Sequence, residues 1–157
     1  MALVGSNAPG FSLEDENGAT WQLVDALKGG SILLVFYPGD FTPVCTKQLC
    51  AYQGAMDAFT QLGVRLVGIS PNPAESHRKF KAEYGFSFPL LTDVDKHVTR
   101  LYGVTSLFMF GGTSRAVVLV GKDGKIAYRY VEPTALTHRN PAELMAAITK
   151  LKAKNLI

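Results

Sequence analysis

One stretch restricts the fold of this chain more than any other. Ser31-Ile32-Leu33-Leu34-Val35-Phe36 is an uninterrupted apolar run, too short for a core helix and the right length for a buried strand. It runs into Tyr37-Pro38-Gly39-Asp40-Phe41-Thr42-Pro43-Val44-Cys45-Thr46-Lys47-Gln48-Leu49-Cys50. Pro38 and Gly39 break the strand. Thr42 is a suitable N-cap, and Pro43 suits the first helical position, where its missing N–H costs nothing. The spacing predicts a helix from Thr42 to about Leu62, stopped by Gly63, with Gly54 marking a bend or a close approach. A buried strand feeding directly into a helix is the start of an α/β unit.

Both cysteines of the chain fall in that helix. Cys45 is expected in its first turn, facing unpaired backbone N–H groups and the positive end of the helix dipole, which favour a sulfur anion. The Thr42 hydroxyl lies in the same turn, in reach of the sulfur or of a bound oxygen. On an intact helix residues five apart differ by about 140° around the axis and about 7.5 Å along it, so the two Cα atoms lie roughly 8–9 Å apart. A disulfide needs about 4.4–6.8 Å. The pair is therefore not expected to bridge while the helix is wound, and is able to do so once its first turns unwind. That suits a two-step redox cycle better than a static crosslink.

Along the rest of the chain, Phe11–Asp15 and Ala19–Leu23 flank Glu16-Asn17-Gly18 and read as a hairpin. Val24–Gly30 is a short helical turn ending in glycines. Val64–Ser70 is a second buried strand, and Ala74–Tyr84 a helix stopped at Gly85. Phe88–Leu91 is a short strand, Asp95–Tyr102 a helix stopped at Gly103, and Leu107–Gly112 an apolar loop whose residues Leu107–Phe110 either pack against the body, the favoured reading, or face a substrate or reductase groove. Arg115–Val120 and Lys125–Val131 pair around Gly121-Lys122-Asp123-Gly124. Asn140-Pro141-Ala142-Glu143 opens the last helix with a cap, a first-turn proline and a capping-box glutamate, and Leu144, Ile148 and Leu151 form its buried face. Strands alternating with helices, then an antiparallel pair, give an α/β sandwich with a mixed sheet and an N-terminal hairpin.

Composition narrows the function. At 157 residues, with 47% hydrophobic and 18% charged residues, residues 1–157 are expected to form one globular domain. The net charge of +3 is scattered, with no basic stripe interleaved with aromatics, so nucleic acid is not an expected partner. No apolar run reaches about 18 residues, so no membrane span is expected. Met1-Ala2-Leu3-Val4-Gly5 lacks the charge and apolar core of a signal peptide. Two cysteines confined to one local motif fit a reducing compartment, and the expected location is the cytoplasm. His77, His97 and His138 have no ligand-like spacing and are expected at the surface. Tyr37 and Phe41 either wall a pocket or fill core.

Pro38-x-x-x-Thr42-x-x-Cys45 matches the active-site motif of peroxiredoxins. Thr42-Pro43-Val44-Cys45-Thr46-x-x-x-Cys50 resembles the peroxiredoxin Q type, also called bacterioferritin comigratory protein. The resemblance takes in Gly5-Ser6-Asn7-Ala8-Pro9-Gly10-Phe11, Gly68-Ile69-Ser70, Tyr102-Gly103-Val104, and Arg115 ahead of Val117–Gly124. It departs at Val44, where glycine is common, and at Gln48, where glutamate is common.

The resemblance implies a thioredoxin-like sandwich and a thiol peroxidase acting on hydrogen peroxide and organic hydroperoxides. Cys45 is then the peroxide-attacking nucleophile and Cys50 the resolving thiol, ending each cycle as a Cys45–Cys50 disulfide. Thr42 donates to the sulfur and the peroxide, Pro38 shields the sulfur from water, and the Arg115 guanidinium steadies charge on sulfur and departing oxygen. Reduction by thioredoxin, or alternatively glutaredoxin, is implied, with no metal, haem or flavin. A disulfide within one chain makes a monomer sufficient. A general thiol–disulfide oxidoreductase would use Cys-x-x-Cys, and a copper carrier on this fold would bring its cysteines closer and add a histidine.

Overall fold

A computed structural model describes residues 2–106, 112–134 and 136–157. The hairpin forms as expected: β1 (Ser12–Glu14) pairs antiparallel with β2 (Thr20–Gln22), Leu13 opposite Trp21. A four-residue helix, α1 (Leu23–Ala26), and a 3-10 turn over Leu27–Gly29 lead to β3 (Ser31–Phe36). Next come α2 (Pro43–Gly54), α3 (Met56–Gln61), β4 (Val64–Ser70) and α4 (Ala74–Tyr84), the last ended by Gly85 at φ +70°. Then follow β5 (Leu90–Thr92), α5 (His97–Leu101), β6 (Thr105–Ser106) and β7 (Gly112–Thr113). The chain closes with β8 (Ala116–Val120), β9 (Ile126–Val131) and α6 (Pro141–Ala153).

The long helix expected from Thr42 to Leu62 is two helices. It breaks at Ala55 (φ −104°, ψ 10°), directly after Gly54, so the glycine marks a bend. Residues 107–111 of the expected apolar loop lie outside the described residues, and β6 and β7 pair antiparallel on either side of them.

Seven strands form one mixed sheet in the order β2-β1-β5-β4-β3-β8-β9. β3, β4 and β5 run parallel, joined by helical crossovers, and β1, β8 and β9 add antiparallel. β3 is buried along its whole length, as an all-apolar strand between two neighbours should be. Its alternation divides the core. Leu33, Val35 and Tyr37 face a cluster with Leu49 and Tyr52 of α2, Phe59 of α3, Phe80 of α4 and Leu144 and Ile148 of α6. Ile32, Leu34 and Phe36 face the opposite cluster, with Leu23, Val98 and Tyr102. Each such side chain contributes about 1.5–3 kcal/mol by burial.

Register also places the loop after β3. Gly68 of β4 has no side chain where a Cβ would come within 2.8 Å of Leu90 and 3.1 Å of the Tyr37 ring. The missing atom leaves room for the Tyr37 ring and the Leu90 side chain. At α6, Asn140 accepts from the Glu143 N–H at 2.9 Å, and Glu143 accepts from the Asn140 N–H at 3.2 Å, the capping box read from sequence.

Candidate active site

The helix α2 starts where β3 ends, and its first turn carries the site. Thr42 occupies the N-cap position with extended backbone (φ −76°, ψ 146°), and its carbonyl accepts from the Thr46 N–H at 2.9 Å. Its side chain does not cap the helix. The hydroxyl donates instead to the Gly39 carbonyl at 2.8 Å, which locks the loop before the helix rather than the helix itself. Pro43 stands at the first helical position, as expected.

Cys45 is fully buried, in the core cluster with Tyr37, Leu49 and Tyr52. Arg115 meets it there. Phe36, the last residue of β3, pairs with Ala116, the first of β8, in antiparallel register. The residue before Ala116 therefore lies just past the end of β3, beside the first turn of α2. From that position the buried Arg115 Nη1 donates to Cys45 Sγ at 3.1 Å and to Gln48 Oε1 at 2.8 Å. The guanidinium is a fixed positive group with planar donors, and one of them is aimed at the sulfur.

Gln48 does more than replace a common glutamate. Its amide accepts from Arg115 and donates to the Tyr52 hydroxyl at 3.0 Å, and Tyr52 in turn donates to the Arg139 carbonyl at 2.6 Å. Tyr52 spends its only hydrogen on Arg139, so its oxygen needs a donor. An amide supplies one and a carboxylate does not. Burial pushes the Tyr52 phenol far up, so it keeps its hydrogen. Sequence reasoning missed this chain, since nothing local ties Tyr52 to residue 139.

Cys50 lies on the same unbroken helix, half-buried, and both thiols are free. Burial raises the Cys50 thiol above its ordinary value. Pro38 is half-buried at the start of the loop.

The loop has a second buried centre, also missed. Tyr37 fills core, its hydroxyl donating to Asp40 at 2.7 Å, and burial, with the Asp40 carboxylate behind it, holds that phenol well above its usual range. Asp40 also accepts from Ser76 Oγ and His77 Nδ1, each at 2.7 Å. His77 is thus fully buried rather than at the surface. It shares the inner face of α4 with Phe80 three residues on, and that spacing was the signal available in the sequence. His97 is exposed, as expected, and His138 is half-buried. Phe41 is 45% exposed and packs its ring 5.0 Å from Phe80.

Asp93, Asp95 and His97 bring potential ligand atoms within 4.8 Å of one another. The Asp93 carboxylate is committed to the start of α5, accepting from the Val98 and Thr99 N–H groups and the Thr99 hydroxyl. Asp95 is held below the usual carboxylate range by its bond to the His97 ring. Among the described residues no helix is long and apolar enough to cross a membrane.

A buried thiol, a helix start and a guanidinium at the end of a central strand define a thioredoxin-like protein organised for thiol chemistry. Comparison with known proteins narrows this: residues 4–129 match the model of the AhpC/TSA family, and the chain belongs to that family. It is 36% identical over 126 residues to the chloroplastic peroxiredoxin Q of Oryza sativa subsp. japonica. That alignment covers 80% of this chain and 58% of the rice protein, so the chain spans little more than half of that relative's length. A putative peroxiredoxin of Mycobacterium tuberculosis is 36% identical over 139 residues, 85% of this chain and 88% of that one. Among solved structures, the peroxidoxin BcpB of Mycobacterium tuberculosis superposes with a TM-score of 0.85 at 27% identity, over 98% of each chain. The bacterioferritin comigratory protein of Xanthomonas campestris, described for its alkyl peroxide reduction activity, gives 0.78 at 26% identity, over 92% of this chain and 91% of that one.

Proposed function

We propose that this protein is a thiol peroxidase that reduces hydrogen peroxide and organic hydroperoxides, with Cys45 as nucleophile and Cys50 as resolving thiol. The observation that carries the reading is Arg115 Nη1 at 3.1 Å from the buried Cys45 sulfur. Family membership and the alkyl peroxide activity of the Xanthomonas relative support it.

In the first step the Cys45 thiolate attacks the distal oxygen of ROOH. An S–O bond forms, the O–O bond breaks, and the leaving alkoxide takes a proton to become ROH. Arg115 stabilises the thiolate before attack and the developing oxygen charge during it. Thr42 contributes its hydroxyl at the peroxide, released from Gly39 or shared with it, and Pro38 keeps water from the sulfur. In the second step Cys50 attacks the sulfenic sulfur, hydroxide leaves as water after protonation, and a Cys45–Cys50 disulfide remains. Thioredoxin, or glutaredoxin, then supplies the two electrons that restore both thiols. The proposed working form is a cytoplasmic monomer serving antioxidant defence, since the disulfide closes within one chain.

Stopped-flow mixing with hydrogen peroxide and an alkyl hydroperoxide tests this. Cys45→Ser should abolish peroxide consumption. Cys50→Ser should form one sulfenic acid per chain and fail to turn over with thioredoxin. Near-normal consumption by Cys45→Ser would remove the nucleophile assigned here.

A further inference from the structure

The Asp40–His77 centre has no part in the chemistry just described, yet it sits under the loop that carries it. Every hydrogen-bonding group of Asp40 for which a partner is seen points to a different element. Its N–H donates to Asn72 Oδ1 at 2.9 Å, beyond β4. Its carboxylate accepts from Tyr37 at the end of β3 and from Ser76 and His77 of α4. His77 spans two elements in turn. Its other nitrogen, Nε2, donates to the Leu91 carbonyl of β5 at 3.0 Å, because a carbonyl can only accept. With that nitrogen occupied by a donor role and Nδ1 facing a carboxylate, the ring has one orientation available.

The residue after Asp40 explains why such a clamp is needed. Phe41 has φ +62°, the left-handed region that a bulky side chain avoids. This backbone reversal delivers Thr42 to the start of α2 and so fixes where Pro38, Thr42 and Cys45 stand. Strain of this kind persists only where the surroundings over-determine it. Here they do so on both sides of the bond: Asp40 is held through four partners, and the Phe41 ring lies against Phe80 on the same α4 that presents His77.

We propose that His77 is a positioning residue for the peroxide step, acting through the Asp40 carboxylate to hold the Pro38–Thr42 loop in its strained, reactive shape. The inference rests on Cys45 being the nucleophile. It assigns His77 no contact with peroxide, and it concerns only the first chemical step, because disulfide closure takes place after α2 has opened.

Two substitutions at the one position separate this from a plain packing role. Asn places its amide nitrogen where Nδ1 stood, keeping the donor to Asp40 and losing Leu91. Gln places its nitrogen where Nε2 stood, keeping Leu91 and losing Asp40. Both leave a smaller side chain in the same buried site, so both should lower the melting temperature to a similar extent. The second-order rate of Cys45 oxidation by hydrogen peroxide, followed by stopped flow, should stay within threefold of the unmodified protein in His77→Asn. It should fall tenfold or more in His77→Gln. The disulfide-closing rate after a saturating peroxide pulse should be unchanged in both. Equal losses in the two variants, or a full rate in His77→Gln, would overturn the proposal. If neither variant folds, Ser76→Ala removes one donor from the same carboxylate oxygen at a half-buried site on α4. It should slow oxidation about threefold or more with closure unaffected, and a full rate would overturn the proposal. Unmodified protein that fails to react with peroxide would instead remove the nucleophile reading on which this one stands, and this one with it.

Discussion

At the scale of single residues the site is a set of side chains with few spare hydrogen bonds. Arg115 holds the Cys45 sulfur and Gln48 from one nitrogen, and Gln48 passes the contact to Tyr52. Arg115→Ala is expected to slow the peroxide step by about a hundredfold or more, the usual cost of losing a preorganised donor at developing charge. It should also cost about 1–3 kcal/mol of stability, because Gln48 Oε1 is left buried without that donor. A second-order rate within threefold of the unmodified protein would contradict the role. The placement of Thr42 and Cys45 at the helix start was legible in the sequence because a threonine, a proline and a thiol in that order are a local pattern; that the Thr42 hydroxyl turns to Gly39 instead of capping was not. Arg115 was not legible from spacing: its place depends on the pairing of Phe36 with Ala116, which brings residues 70 apart together, and only family resemblance pointed to it. His77 was misjudged because whether a lone polar side chain is buried depends on partners such as Asp40 and Leu91 that lie on other elements.

At the scale of elements the proposed cycle turns on α2, which carries both thiols and in that cycle opens for them to meet. Gly54 ends it, and a Cβ at Gly54 would meet nothing within 4 Å. Gly54→Ala should therefore stabilise the helix by about 0.5–1 kcal/mol. If opening reaches Gly54, disulfide closure slows about two- to fivefold while peroxide attack keeps its rate; unchanged closure in quenched-flow thiol trapping would contradict opening of the whole helix. Closure should also depend on pH. Burial raises the Cys50 thiol in the wound helix, and opening returns it toward about 8.5. The wound form thus favours the protonated thiol, an advantage fully present below that value and lost as pH rises through the raised one. Opening and thiolate supply grow together, so closure should accelerate as pH rises above about 8.5. A flat profile would contradict it. The break after Gly54 was foreseeable as a bend; its position at Ala55, splitting one expected helix into two, was not, because a glycine inside a periodic pattern does not say how the chain resumes.

At the scale of the molecule the sheet is the body on which α2 packs. β3 lies between β4 and β8 with both faces covered, and Leu33 is fully buried on the α2 side. Leu33→Ala should cost about 2–5 kcal/mol in urea unfolding, and a loss below about 1 kcal/mol would contradict its place in the core. β3, β4 and β8 were legible because burial on both faces leaves a near-continuous apolar run; β6 and β7, two residues each, carry no such pattern and were missed. The insertion of β5 between β1 and β4 was not legible, since strand order depends on pairings that no local pattern records. What remains to be measured is whether the thiols are kept apart by wound backbone at rest and joined only when it melts. Amide hydrogen exchange across residues 43–54, compared between fully reduced and peroxide-oxidised protein with the disulfide verified by mass, reads this directly. The expected result is strong protection of α2 when reduced and its loss around Cys45–Cys50 when oxidised. Equal protection in the two forms, with the Cys45–Cys50 bond in place, would contradict it.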